Sequence, residues 1–225
     1  MYKDYYIVLQ ELHSLIRPRG YLEVGISGGD SLALTDPGTR CVAIDPDPKL
    51  IGGAPHMRIA RMTSDAYFEE HDLAEDLDGS SLDLVFIDGM HLFEYALRDF
   101  GNAEVYANER TVFVVHDCDP VDAVVSSRER TIAKWTGDVW KLAFCLAEHR
   151  PELTMSVLDV APSGLLVVTG VTPGSRALLE ISPDVVEEYV SFGYDYYEAH
   201  RKLTDGLVRS FPEVVKRHGL VPAHT

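Results

Sequence analysis

Two short polar stretches carry the residue types that metal and acid–base chemistry require. Asp88-Gly89-Met90-His91 follows the apolar run 82–87, and His116-Asp117-Cys118-Asp119 follows the apolar run 111–115. Carboxylates at neighbouring strand ends form a hard oxygen-donor pair suited to Mg2+, which keeps several waters and needs few protein ligands. An imidazole, whose ordinary pKa lies near neutrality, is suited to take a proton from a reacting hydroxyl. Asp88, His91, His116 and Asp117 together also make a mixed nitrogen and oxygen set of the kind that holds a hydrolytic metal.

A second group suits a nucleoside. In Glu23-Val24-Gly25-Ile26-Ser27-Gly28-Gly29 a short strand breaks into a turn rich in glycine. Such a turn lets the backbone bend sharply and approach a ligand closely. Asp45 closes the next apolar run, 41–44, where an acidic side chain holds a ribose diol in nucleotide-binding α/β folds. Asp65 follows a weaker third run and is placed either to meet an adenine amine or to sit in a solvated turn. The spacing is G-x-x-G-G, not the G-x-G-x-x-G of dinucleotide sites, which disfavours a dinucleotide oxidoreductase.

The elements that must position these groups alternate. Residues 4–17 carry a helical apolar stripe. Strands are expected at 21–24, 40–44, 55–60, 82–87 and 111–115, with helical segments at 31–34, 68–77 and 93–100. A long connection spans 121–134, and a helix is expected over 137–148. Two strands, 154–160 and 165–169, are joined by the tight turn Ala161-Pro162-Ser163-Gly164. From residue 182 the chain reads as helical, with Tyr189, Phe192, Tyr194, Tyr196 and Tyr197 forming an aromatic cluster suited to core or dimer contact. This order predicts a doubly wound α/β sheet whose polar tips share one end, where such folds bind ligands.

The glycine turn preceded by Glu23 resembles motif I of the class I S-adenosylmethionine-dependent methyltransferases. Asp88-Gly89-Met90-His91 with the later His116-Asp117 is similar to the metal-dependent O-methyltransferases that modify sugars of macrolide and aminocoumarin natural products. The likeness spans roughly residues 20–170. It implies a Rossmann-like, mostly parallel seven-stranded sheet with an antiparallel C-terminal hairpin. It also implies one domain over 1–225: a leading helix at 1–18, a core at 19–170 and a helical extension at 171–225. S-adenosylmethionine would lie against Glu23, Gly25, Ser27, Gly28 and Gly29, with Asp45 on the ribose, Asp65 at the adenine and Asp88 nearby. Mg2+ would be held by Asp88 and Asp117. Cys118 stands where the family commonly has Asp or Asn, and thiolate is a poor Mg2+ ligand, so either Asp119 reaches in as a third donor or two carboxylates and water hold the ion. His91 matches the family's general base, and His116 is the second candidate. Trp135 or Trp140 would wall the acceptor pocket.

The chain has 225 residues, 46% hydrophobic and 25% charged, enough for one sizeable core. Its formal net charge of −16 argues against nucleic-acid and anionic-membrane partners, whose phosphates it would repel. Three cysteines, Cys41, Cys118 and Cys145, fit a reducing compartment, and neither a signal-peptide core nor a membrane-length apolar run is present. The expectation is a cytoplasmic O-methyltransferase acting on a small-molecule or sugar hydroxyl, with a homo-oligomer permitted by the C-terminal aromatics. The alternatives are a metal-dependent hydrolase built on Asp88, His91, His116 and Asp117, and a non-catalytic protein retaining the fold.

Overall fold

The central strand-forming runs in this chain are largely apolar on both faces, and a computed structural model of residues 4–50 and 52–222 buries them in one sheet. Residues 1–3, 51 and 223–225, the outer ends of the expected leading segment and C-terminal extension among them, lie outside the described residues. Helix α1 (Tyr5–Ile16) leads into β1 (Gly20–Val24), which is buried along its whole length. Then come β2 (Arg40–Ile44), β3 (Met57–Ala60), α2 (Ser64–Glu70), α3 (Leu73–Asp76) and β4 (Leu82–Ile87). Helix α4 (Phe93–Val105), β5 (Ala107–His116), α5 (Lys141–His149), β6 (Thr154–Leu158) and β7 (Leu165–Thr169) complete the core. The C-terminal part adds α6 (Pro183–Ser191), α7 (Tyr194–His200), α8 (Lys202–Leu207), β8 (Val208–Arg209) and α9 (Phe211–His218).

The strand order is β3-β2-β1-β4-β5-β7-β6-β8. The first five are parallel, and β7 runs antiparallel to both β5 and β6. The sheet therefore has an eighth strand beyond the seven expected. It is two residues long, pairs with the end of β6, and is too short to leave a periodic signal. Between β1 and β4 the strand order reverses, which opens a crevice at their carboxyl ends.

Alternation along the strands divides the core in two. Leu22, Val24, Val85, Ile87, Phe113 and Val115 face α4, α5 and the C-terminal aromatics. Tyr21, Leu84, Phe86, Val112 and Val114 face α1 and α9. Tyr189 and Tyr197 are buried, and Tyr197 meets Trp140 edge-on at 5.2 Å, so these aromatics belong to the core. Among the described residues, no helix is long and apolar enough to cross a membrane.

Three helices differ from the sequence reading. The short helical segment expected over 31–34 is one 3-10 turn, Leu32–Leu34. Residues 68–77 divide at Asp72, whose carboxylate accepts from the N–H groups of Ala74 and Glu75 and starts a new helix. The helix expected from 137 begins at Lys141, because Gly137 has a left-handed φ of 58°.

The ends of α4 and α5 are joined by a buried ion pair, in which the Arg150 guanidinium donates twice to Glu104 at 2.7 Å. Removing one partner strands a buried charge, whereas removing both does not. Arg150→Met should therefore cost about 3 kcal/mol or more in urea denaturation, and Arg150→Met with Glu104→Met should recover most of that. Equal loss in the single and double variants would show that packing, not charge, is at stake.

Candidate functional site

The cleft begins where β1 meets β4. Asp88 donates its backbone N–H to the Val24 carbonyl at 2.8 Å, and Gly25 donates to the Ile44 carbonyl at 2.8 Å. Gly25 has φ 88°, and a Cβ there would run into the Asp88 carbonyl. Asp45 braces the glycine turn from β2. Its Oδ2 accepts from the N–H groups of Ile26 and Ser27 at 2.8 and 2.9 Å, and its Oδ1 accepts from Asp47 N–H at 2.8 Å. Beyond these strand ends lies a cleft of about 360 Å³, lined by Gly25, Asp45, Pro46, Thr63 to Asp65, Gly89, Met90, Tyr95 and Asp99 among others. That volume falls in the range of small-molecule sites.

The cofactor residues expected from sequence occupy different places around this cleft. Gly25, Asp45 and Asp65 line it, whereas Ser27, Gly28 and Gly29 form the turn beside it without lining it. Glu23 is fully buried behind the turn, where it accepts from the Tyr21 hydroxyl at 2.8 Å and the Ser31 hydroxyl at 2.5 Å. Burial pushes its carboxyl up to about 8 against the opposing effect of those hydroxyls. Asp65 is gripped by the Arg98 fork at 2.9 and 2.7 Å, which holds its carboxyl below the usual range. Asp99 is a cleft residue that the sequence reading passed over. It is a charged residue inside an amphipathic helix, and its one signal is its place on the buried face with Ala96 and Ala103.

Across Gly89 from the cleft is a notch of two carboxylates and two imidazoles. Asp88 and Asp117 follow neighbouring strands, and the structure brings them together. His116 Nδ1 lies 3.0 Å from Asp88 Oδ1 and 3.4 Å from Asp117 Oδ1. His91 Nδ1 lies 2.6 Å from Asp117 Oδ2, and its Nε2 lies 3.6 Å from Asp88 Oδ1. The close His91 contact is misaligned for a hydrogen bond, so both Nδ1 and Asp117 Oδ2 are buried without a hydrogen-bond partner. Ser163 donates to Asp117 Oδ1 and lies 3.4 Å from His116 Nε2.

His91 and Asp117 both adopt left-handed backbone, φ 59° and 64°, a conformation that costs non-glycine residues energy. Neighbouring elements hold them there. A Cβ on Gly137 would run into the His91 carbonyl. Asp138 donates its N–H to that carbonyl at 3.2 Å, while its carboxylate accepts from Phe93 N–H at 2.8 Å. Trp135 stacks on the His91 ring at 5.4 Å, and Tyr5 of α1 stacks on His116 at 4.2 Å. Trp140, by contrast, is in the core.

Burial opposes charge on both imidazoles, yet Asp117 and Asp88 beside His91, and Asp88 and Asp117 beside His116, raise both pKa values. Burial likewise opposes the charge on Asp88, but His116 and His91 outweigh it and hold its carboxyl below the usual range. Asp88, His116 and Asp117 each offer a ligand atom, all within 4.8 Å of one another. Two carboxylates and an imidazole converging at this spacing fit a small divalent cation. Asp119 does not join them: the Tyr197 hydroxyl donates to its Oδ1, and its N–H donates to the Ser163 carbonyl at 2.7 Å. Cys118 is buried, and its thiol lies 3.5 Å from the carbonyl oxygens of Val115 and His116.

The buried Glu23 gives this site a pH signature. Its folded-state pKa lies above the ordinary carboxylate value, so the stability it supports is full at acid pH and is lost as pH rises through about 8. Glu23→Gln cannot ionise. Its melting temperature should therefore gain on the wild type by roughly 5 °C between pH 6 and pH 9. An unchanged gap would mean that Glu23 is ionised in the folded protein throughout.

Residues 22–118 match the family described as "Methyltransferase domain". The match starts in β1 and ends at Cys118, so it includes both the cleft and the strand ends of the notch. No curated protein sequence matches the chain. Among solved structures, the O-methyltransferase TomG of Streptomyces achromogenes, involved in tomaymycin synthesis and bound to S-adenosylmethionine, superposes with TM-score 0.56 at 19% identity, over 74% of this chain and 79% of that one. An O-methyltransferase from Bacillus cereus in complex with S-adenosylhomocysteine gives TM-score 0.52 at 15% identity, over 73% and 80%. An S-adenosylhomocysteine-bound methyltransferase from Podospora anserina gives TM-score 0.50 at 15% identity, over 73% and 75%. The fold is that of class I S-adenosylmethionine-dependent methyltransferases, and the chain is methyltransferase-like in its architecture.

Proposed function

We propose that the chain is an S-adenosylmethionine-dependent O-methyltransferase whose donor occupies the cleft and whose acceptor hydroxyl enters the notch. The observation that carries this reading is adjacency. Gly89 lines the cleft and also the small cavity of Asp88, His91, His116 and Asp117, so one methyl transfer spans the distance between them.

Each residue then has a role. Asp45 spends two lone pairs of Oδ2 and one of Oδ1 on the turn, leaving Oδ1 capacity for a ribose hydroxyl. The Gly25–Asp88 contact keeps the donor's sulfur end against β4. A divalent cation on Asp88 and Asp117, with His116 at the third corner, would lower the pKa of a bound hydroxyl and orient it. The carboxylate donors suit the hard ions Mg2+ and Mn2+.

His91 is the base this arrangement favours. Its side chain is 26% exposed, against 7% for His116, so an acceptor meets His91 first. In the free site the adjacent carboxylates favour a proton on His91. Once their charge is neutralised, the imidazole is free to accept the acceptor's proton. The oxygen–methyl bond forms as the sulfur–methyl bond breaks, leaving neutral S-adenosylhomocysteine. His116, buried beneath Tyr5 and between two carboxylates, orients them. Exposed Met90 and half-buried Trp135 flank the opening, on the side where a sugar or other small-molecule hydroxyl would enter. The net charge of −16 makes a nucleic-acid acceptor unfavourable.

Calorimetry with S-adenosylmethionine, followed by release of S-adenosylhomocysteine over a panel of sugar and catechol-type hydroxyls, tests the reading. Wild type should bind the donor, and Asp45→Ala should lose about tenfold or more in affinity. Turnover should fall with EDTA and return with Mg2+ or Mn2+. His91→Gln should lower turnover by about a hundredfold or more while donor binding persists. Failure of wild type to bind the donor would remove the proposal, and activity untouched by EDTA would remove its metal.

A further inference from the structure

One carboxyl in the cleft has no part in the proposed reaction. Asp99 projects from the middle of α4, is 2% exposed, and lines both the cleft, with Pro46, Ser64 and Gly89, and the edge of the notch cavity beside Asp88 and Asp117. Its Oδ1 is buried without a hydrogen-bond partner. Leaving a buried acceptor unpaired is costly, and such an atom in a cavity wall calls for a donor from outside the chain. Burial pushes the carboxyl up to about 7, with the Ser64 hydroxyl working against the shift.

The other two carboxylates of the cleft have hydrogen-bond partners within the chain on both oxygens. Both oxygens of Asp65 accept from the Arg98 fork, and Asp45 holds the glycine turn. Pro46 and Met90 line the same cleft and offer apolar surface for a flat ring. The terminal torsion of an aspartate is soft, so either oxygen of Asp99 can be turned toward a ligand.

We infer that Asp99 reads the purine of the methyl donor, accepting an N–H from the exocyclic amine of adenine at its unpartnered oxygen; this rests on the donor cleft proposed above. Asp65, the residue the sequence pointed to for this contact, instead anchors Arg98. The consequence is a preference for a 6-amino purine over the same ring bearing hydrogen at C6, which offers no donor at that position.

The test is calorimetric titration of the full chain with S-adenosylhomocysteine and with its analogue bearing hydrogen in place of the 6-amino group. Wild type should bind the analogue about tenfold more weakly. Asp99→Ala should bind the two within about twofold of each other. Asp99→Asn keeps an acceptor oxygen, guards against a folding defect in the alanine variant, and should retain the preference. Asp65→Asn should keep the wild-type ratio. Equal binding of both ligands by wild type would overturn the inference, as would a preference that survives Asp99→Ala and collapses in Asp65→Asn. No binding of S-adenosylhomocysteine at all would overturn the donor cleft itself, and this inference with it.

Discussion

The backbone of Gly25 lies directly against the Asp88 carbonyl, and no side chain fits between them. That contact sits at the reversal of strand order, with β2 and β3 on one side and β4 and β5 on the other. On the first side the strand ends build a cleft with one wall braced by Asp45. On the second they bring two carboxylates and two imidazoles together. A larger residue at 25 would separate the strand tips, and the cleft and notch would lose their common wall at Gly89. Sheet topology and one glycine thus set the relation between the two halves of the site.

The notch is expensive to hold together. It brings four ionisable side chains together, two of them buried and two partly so, and two of the four on left-handed backbone. Such strain persists only when the surroundings over-determine it. Here the restraint comes through Asp138, which binds the His91 carbonyl, caps the start of α4, and pairs with Arg128 and the buried Lys141. Lys141 in turn donates to the Val190 carbonyl at 2.9 Å, carrying the restraint into α6. Mutual pairing steadies the charges inside: the carboxylates raise the pKa of both imidazoles, and the imidazoles lower that of Asp88.

Much of the fold was legible in the sequence because strands buried on both faces read as apolar runs ending in polar residues. The positions of Asp45, Asp88 and Asp117 at strand ends follow from that pattern. What could not be read depends on partners far along the chain. Glu23 is tied to Tyr21 and Ser31 behind the turn, and nothing in its spacing distinguishes that from a ligand contact. Asp119 is drawn away from Asp117 by Tyr197, 78 residues later. Arg98 and Asp99 are adjacent charged residues on one helix, yet one reaches Asp65 at the surface and the other is buried in the cleft wall. The glycine turn suggested a following helix, but the chain makes one 3-10 turn before Asp36-Pro37.

The donor cleft and the acidic notch work together only as two compartments of one site. The most direct measurement is a crystal structure with S-adenosylhomocysteine and Mn2+, with data collected at the manganese edge. The account predicts an anomalous peak at coordinating distance from Asp88 and Asp117, with the ligand's ribose on Asp45 and its sulfur pointing past Gly89 toward that peak. A nucleoside bound elsewhere, or manganese found only away from those carboxylates while the ligand fills the cleft, would contradict it.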